Sequence, residues 1–323
     1  MGDLLGAARD AVAQSSTTAN YASQRANYAV FCARYSLHTS FDSPYHIPAT
    51  AHAAVTVALA FLSHEAMRGL SSSSLNSAIW GLRRLWACSP PHFADLSVGD
   101  HAISRSLKAL RAACTTPVSH KLALPPSTLR HLPALDAAEP VAAFTIMLGF
   151  AFFLRVSEYT SSAEGATLQV RHITATPTSL RITISRSKTS SLPSHHERRG
   201  SPGHSGCLLA LHNTYTRSRR HNDPDAPALQ LANGSPVTPA HVTAWVHRLL
   251  AMSGLPSASY DTHSLRAGGA VAAQACGKSE LYLLREGRWR SNASLRLYTR
   301  TLPEPYTTST IATLCPAIFT QPD

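Results

Sequence analysis

Tyr298 follows Trp289 by nine residues and Arg266 follows His263 by three, all within one short stretch near the end of the chain. A tyrosine hydroxyl ordinarily titrates near ~10, so at neutral pH it is protonated and attacks poorly unless cationic donors stabilise the charge it develops. A nucleophilic tyrosine therefore predicts arginines. Two are suitably placed, Arg266 in His263-Ser264-Leu265-Arg266 and Arg155 in Phe153-Leu154-Arg155-Val156-Ser157-Glu158 at the end of a strongly apolar run. A guanidinium grips two phosphate oxygens as a fork, a geometry that an ammonium lacks. The chemistry open to such a set is phosphoryl transfer to a tyrosine, which needs neutralised non-bridging oxygens, a proton donor for the leaving oxygen and a positioned nucleophile.

Each residue alone has a plainer reading. A His-x-x-Arg pair is common on helix surfaces, Arg155 could be a snorkelling helix end, and Trp289 and Tyr298 could be packed aromatics. Order and spacing together favour a site, and together these residues resemble the tyrosine recombinases, the phage-integrase-like site-specific recombinases, over residues 124–301. Leu154-Arg155-Val156-Ser157-Glu158 is similar to the segment of the first catalytic arginine, with Glu158 as the supporting acid. His263-Ser264-Leu265-Arg266-Ala267-Gly268-Gly269-Ala270 is similar to the box of the second arginine, and Gly287-Arg288-Trp289 to the motif that ends in histidine or tryptophan. Tyr298 then falls at the nucleophile's distance, and Lys188 lies in an expected β-hairpin where the family keeps its lysine, with Arg186 and Lys121 as alternative cations. The His263–Ala270 and Gly287–Trp289 motifs look closer to the crypton and DIRS-like recombinases of eukaryotic mobile elements than to bacterial chromosome-resolving ones.

The resemblance implies that Tyr298 attacks a DNA phosphate to leave a 3′-phosphotyrosyl link, with Arg155 and Arg266 on the non-bridging oxygens. It further implies Lys188 as general acid, His263 assisting proton movement, and Trp289 shaping the pocket without titrating. No cofactor is implied, neither metal nor ATP. Double-stranded DNA is the implied partner, and a homo-oligomer, a tetramer on two synapsed sites, the implied assembly. Two other readings share part of this evidence: a type IB topoisomerase, and a domesticated DNA-binding protein with a vestigial site.

The 323 residues carry 29 Lys and Arg against 18 Asp and Glu, a net charge of +11 that suits a nucleic-acid partner independently of the motifs. Seventeen histidines invite a metal reading, but His195-His196 reads as part of a polar loop and the others lack paired ligand spacing, so no metal is expected. The cysteines, Cys32, Cys88, Cys114, Cys207, Cys276 and Cys315, are scattered without a Cys-x-x-Cys pair, which points to an intracellular protein with reduced thiols, nuclear if eukaryotic. No apolar run long enough to span a membrane and no leader pattern is found, so no membrane partner is expected.

Positioning these groups requires a mainly α fold with one small antiparallel sheet: a helical core-binding domain over 1–116, a linker at 117–124 marked by prolines, a catalytic domain over 125–301 and a tail at 302–323 that either packs on its own domain or contacts another protomer. Helical periodicity covers 20–36, 50–68, 74–88 and 99–114. The third helix carries Trp80, Arg83, Arg84 and Trp86, and the fourth Arg105, Lys108 and Arg111 at three-residue spacing, so both are candidate DNA-binding faces. After the linker, a helix capped by Ser127 is expected over 127–136 and one buried helix over 137–157 with Arg155 near its end. Strands follow at 166–173 and 179–185 around Pro177, then helices over 202–221 and 238–253, the latter with Arg248 as a further candidate DNA contact.

Overall fold

A computed structural model describes residues 15–37, 43–87, 100–113, 121–162, 165–166, 168–185, 192–199, 208–220 and 222–299. The chain divides into two compact units, Met1–Val118 and Ser119–Asp323. Among the described residues no helix is long and apolar enough to cross a membrane.

The first unit is built from α1 (Ser15–Arg34), α2 (Ala51–Met67), α3 (Ser72–Ala87) and α4 (Asp100–Ala113). Thr50 starts α2 by accepting a hydrogen bond from the Ala53 N–H at 3.2 Å. Aromatic rings meet inside a largely aliphatic core: Tyr28 touches Phe61 and Trp86 edge-on at 5.2 and 5.9 Å. The two tryptophans of α3 part company. Trp86 is fully buried and Trp80 is 53% exposed, because six residues advance a helix by about 600°, which sets their side chains on different faces. Arg83 lies over the Trp80 ring at 5.0 Å and Arg84 over Tyr21 at 5.4 Å. On α4, Arg105 and Lys108 are exposed; the Arg111 side chain lies outside the described residues.

The second unit departs from the expected long helix over 137–157. Pro140 cannot continue a helix through its missing N–H, so α5 (Leu132–Ala138) ends and α6 (Pro140–Ala151) begins there. From Val141 to its end α6 is buried. It stops before Phe153, whose φ of 51° is left-handed. Arg155 consequently does not close the apolar helix: it is extended, and is the N-cap of the one-turn helix α7 (Val156–Tyr159). Ser127 likewise caps nothing, since a 3-10 turn spans Pro126–His131 with Pro125 before it. Residues 121–124, assigned to the linker by sequence, belong to the second unit: the Leu122 and Leu124 N–H groups donate to the Ser259 and Ser264 carbonyls, each at 2.9 Å.

Where a strand is expected over 166–173 there is a short ladder, β1 (Ser161–Ser162) with β2 (Gly165–Ala166), then a 3-10 turn at Val170–His172. The main sheet is antiparallel, in the order β3 (Ile173–Ala175), β4 (Ser179–Ile184), β5 (Ser194–Arg199). β5 contains His195 and His196, so these lie in a strand and not in a polar loop. A sequence as polar as Ser-His-His-Glu-Arg-Arg holds a strand here because its inward residues, His196 and Arg198, find charged partners inside the unit.

Helices α8 (Leu208–Ser218), α9 (Pro239–Met252), α10 (Thr262–Ala275), α11 (Glu280–Gly287) and α12 (Asn292–Thr299) complete the unit. Asp261 caps α10, its Oδ1 accepting from the His263 N–H at 2.7 Å. The two glycines of α10 let it sink into the core: a Cβ on Gly268 would strike the Leu124 backbone, and one on Gly269 the Phe150 carbonyl and the Phe153 ring. Gly269→Ala is expected to destabilise by about 1–3 kcal/mol, read as a lower urea midpoint with unchanged slope.

Candidate phosphoryl-transfer site

Arg155, Glu158, Arg266, Trp289 and Tyr298 come together although α7, α10, α11 and α12 and their ends bring them from distant parts of the sequence. Arg266 is the centre and is fully buried. Its Nη1 donates to the Phe153 carbonyl and its Nη2 to the Gly287 carbonyl. Its guanidinium carbon lies 4.3 Å from the Trp289 ring centre and 5.7 Å from that of Tyr298, and those two rings are 5.3 Å apart. A guanidinium has five N–H donors, so the two carbonyls leave donors over. The Arg266 Nε and Trp289 Nε1 atoms are buried and have no protein partner, two donors whose hydrogen-bonding capacity the protein leaves unused.

Glu158 organises the arginines. Its Oε1 accepts from Arg155 Nη1 at 2.8 Å, and its Oε2 from the Arg155 backbone N–H at 2.8 Å and from Arg288 Nη2 at 2.7 Å. Burial alone would raise this carboxyl, but Arg288, the Arg155 N–H, Arg266 and Arg155 outweigh it and hold Glu158 below the ordinary carboxylate value. Arg266 is perturbed against its own charge. Burial, with Arg155 and Arg288 nearby, draws it down to about 9. Its charge is held at a cost that an anion would relieve.

His263, expected to assist proton movement, is exposed at the start of α10, one turn ahead of Arg266. Lys188 lies outside the described residues. Arg248 is exposed and its Nη2 pairs with Glu139 at 2.8 Å, so its charge is already partly compensated. Cys32 and Cys276 are free thiols; the other four cysteines lie outside the described residues.

Four residues in the network carry no role that their sequence context suggests: His196, Arg198, Glu286 and Arg288. Arg198 is buried against the rings of Phe152 and Phe153 at 5.0 and 5.5 Å, and its Nη1 donates to Glu286 at 2.8 Å. His196 Nδ1 is 3.1 Å from Glu286 Oε2, while its Nε2 lies 3.0 Å from Ser194 Oγ and 3.3 Å from Arg288 Nη1. Because Arg288 can only donate, Nε2 must accept and the proton sits on Nδ1, making His196 neutral. Burial, outweighing the Glu286 hydrogen bond, accordingly holds His196 below its usual value.

Glu286 is held down to about 2 against an ordinary 4.5: burial would raise it, but the His196 hydrogen bond and Arg198 outweigh that. A carboxylate depressed on folding stabilises above its unfolded pKa and loses that contribution as pH falls toward the folded one, here between 4.5 and about 2. The contribution is about 3 kcal/mol. Glu286→Gln should therefore be less stable than the parent at pH 7 and much closer to it at pH 3, as read by urea unfolding at both pH values.

No protein-family model matches the chain, and no curated protein does. Solved structures do resemble it. The XerH site-specific recombinase bound to difH substrate in a pre-cleavage complex is 15% identical, with a TM-score of 0.57 over 87% of this chain and 76% of that one. A lambda integrase (75-356) dimer bound to a COC′ core site is 12% identical, with a TM-score of 0.57 over 94% and 95% of the two chains. The Tn1549 transposon integrase in complex with circular intermediate DNA is 13% identical, with a TM-score of 0.53 over 90% and 98%. At these identities the likeness is one of fold: mainly α, with a small antiparallel sheet.

Proposed function

We propose that this chain is a site-specific DNA recombinase that cuts and rejoins strands through a 3′-phosphotyrosyl intermediate. The observation that carries the reading is the placement of the buried Arg266 guanidinium against both Trp289 and Tyr298, in a cluster that also holds Arg155 and Glu158. Cations gathered in a water-poor site stabilise charge developing on a phosphate far better than they would in water.

In the proposed reaction the Tyr298 oxygen attacks phosphorus, the 5′ oxygen leaves, and Lys188 supplies its proton. Arg155 and Arg266 neutralise the non-bridging oxygens, the unused donor of Trp289 adds a hydrogen bond, and His263 assists proton movement by taking up the proton that Tyr298 loses. Attack by a 5′-hydroxyl of a partner strand reverses the sequence and restores the phosphodiester, with Tyr298 regaining its proton. The first unit supplies a DNA-binding surface through Arg83 and Arg84 on α3 and Arg105, Lys108 and Arg111 on α4, with Trp80 exposed beside Arg83. Strand exchange requires synapsed copies, and a tetramer on two sites meets that need. The His263–Ala270 and Gly287–Trp289 motifs favour a role in a eukaryotic mobile element of the crypton or DIRS-like kind, acting in the nucleus.

The test is covalent capture on a pool of end-labelled duplexes, each nicked within a randomised core, incubated with the full chain in EDTA. A denaturant-resistant adduct enriched for one sequence is expected. Salt-sensitive binding without any adduct would overturn the catalytic reading, and relaxation of arbitrary supercoiled plasmid without sequence enrichment would replace it with a topoisomerase.

A further inference from the structure

Among the described residues other than glycine, Ser36, Phe153 and Arg288 have positive φ. Two of the three meet at one atom. The Phe153 carbonyl accepts from Arg266 Nη1 and, at 3.3 Å, from Arg288 Nη2. A bulky side chain in the left-handed region persists only where its surroundings hold it there. For Arg288, at φ 56° and ψ 39° just after α11, the surroundings are identifiable. Nη2 also reaches Glu158 Oε2 at 2.7 Å, and Nη1 reaches the Glu286 carbonyl at 2.9 Å and His196 Nε2 at 3.3 Å.

Two consequences follow from one side chain. Glu158 takes Arg155 in its other oxygen, so holding Glu158 fixes the Arg155 guanidinium. The left-handed turn also carries the chain from Gly287, whose carbonyl binds Arg266, to Trp289, whose ring packs against the place where a Gly287 Cβ would be. Resting on the reading of this site as a DNA-cleaving centre, we infer that Arg288 is a positioning residue: it braces the Phe153 turn, Glu158 and the Gly287–Trp289 turn into one unit, so that Arg155, Arg266 and Trp289 keep a fixed mutual geometry around the phosphate. Both of its Nη groups are taken up by protein acceptors, Glu158 and the Phe153 carbonyl on one and the Glu286 carbonyl and His196 on the other, so its fork faces the protein and not the phosphate.

The decisive variants are Arg288→Gly, which removes the guanidinium and relieves the left-handed backbone, and Arg288→Lys, which keeps a charge but loses the planar fork. On the nicked duplex selected by the parent protein, Arg288→Gly should form adduct about 10²-fold more slowly, the scale of a misplacement near 1 Å. DNA affinity should stay within a factor of about two, since the Arg288 Nη groups are committed to protein acceptors and not to a phosphate. Arg288→Lys should recover little, and millimolar guanidinium ion should accelerate Arg288→Gly alone, an effect that a merely loosened fold would not show. Adduct formation at the parental rate in Arg288→Gly would overturn the assignment. So would loss of the folded state in both variants, which would make Arg288 a folding residue. If the parent protein forms no adduct, the functional reading falls separately, and crystal structures of parent and Arg288→Gly decide: a displaced Arg155 or Trp289 keeps the bracing role, and an unmoved cluster removes it.

Discussion

Tyr298→Phe is expected to lower covalent adduct formation by at least about 10⁴-fold while leaving the protein folded and bound to DNA. The substitution removes one oxygen and nothing else. Tyr298 is half-buried, its ring packing on Trp289 and on Ala123, Ala267 and Val271. Phenylalanine keeps those contacts, and the stability change should stay within about 0.5 kcal/mol. A large loss of reaction with intact binding would therefore belong to the hydroxyl. Tyr306→Phe serves as the comparison, being the next tyrosine along the chain; it should form adduct at the parental rate. The measurement is the adduct yield on the captured nicked duplex, resolved under denaturing conditions. An adduct that survives in Tyr298→Phe and disappears in Tyr306→Phe would move the nucleophile to the tail and dissolve the proposed geometry.

Tyr298 could be singled out from sequence because the residues around it are chemically specific and closely spaced. The box from His263 to Ala270 and the turn from Gly287 to Trp289 are short, and their side chains are of types that a phosphate requires. The fold class was legible for a related reason: four helices of the first unit follow an apolar period that survives at single-sequence level. The bracing network was not legible. Glu286 and Arg198 are separated by 88 residues, and Glu158 and Arg288 by 130, and nothing local announces either pair. β5 was misread because its polarity suggests solvent, whereas two of its charged or polar residues are buried against partners supplied by α11. The break at Phe153 was hidden as well. No glycine marks that left-handed residue, and an unbroken apolar run reads as continuing helix. In each case tertiary partners, and not local propensity, decide the conformation.

The same dependence on surroundings makes Arg266→Lys a severe substitution despite preserving formal charge. Cleavage should fall by about 10³-fold at pH 7.5, for two separable reasons. The first is geometric. The arginine fork binds the Phe153 and Gly287 carbonyls, 113 and 21 residues away, and still has donors for a ligand. An ammonium has three donors from a single point, so it cannot reproduce that spread. The second is electrostatic. Surroundings that draw the arginine down, burial first and then Arg155 and Arg288, would also draw down a lysine, which ordinarily titrates lower than arginine, near ~10.4. The replacement would then be partly neutral in the working range. Because a base is charged below its pKa, Arg266→Lys should recover activity as the pH falls from 8.5 to 6, after correction for the parent's own profile. Rate against pH on the captured duplex checks both parts. A pH-independent deficit would leave geometry as the whole cause, and a variant equal to the parent at every pH would remove Arg266 from the reaction.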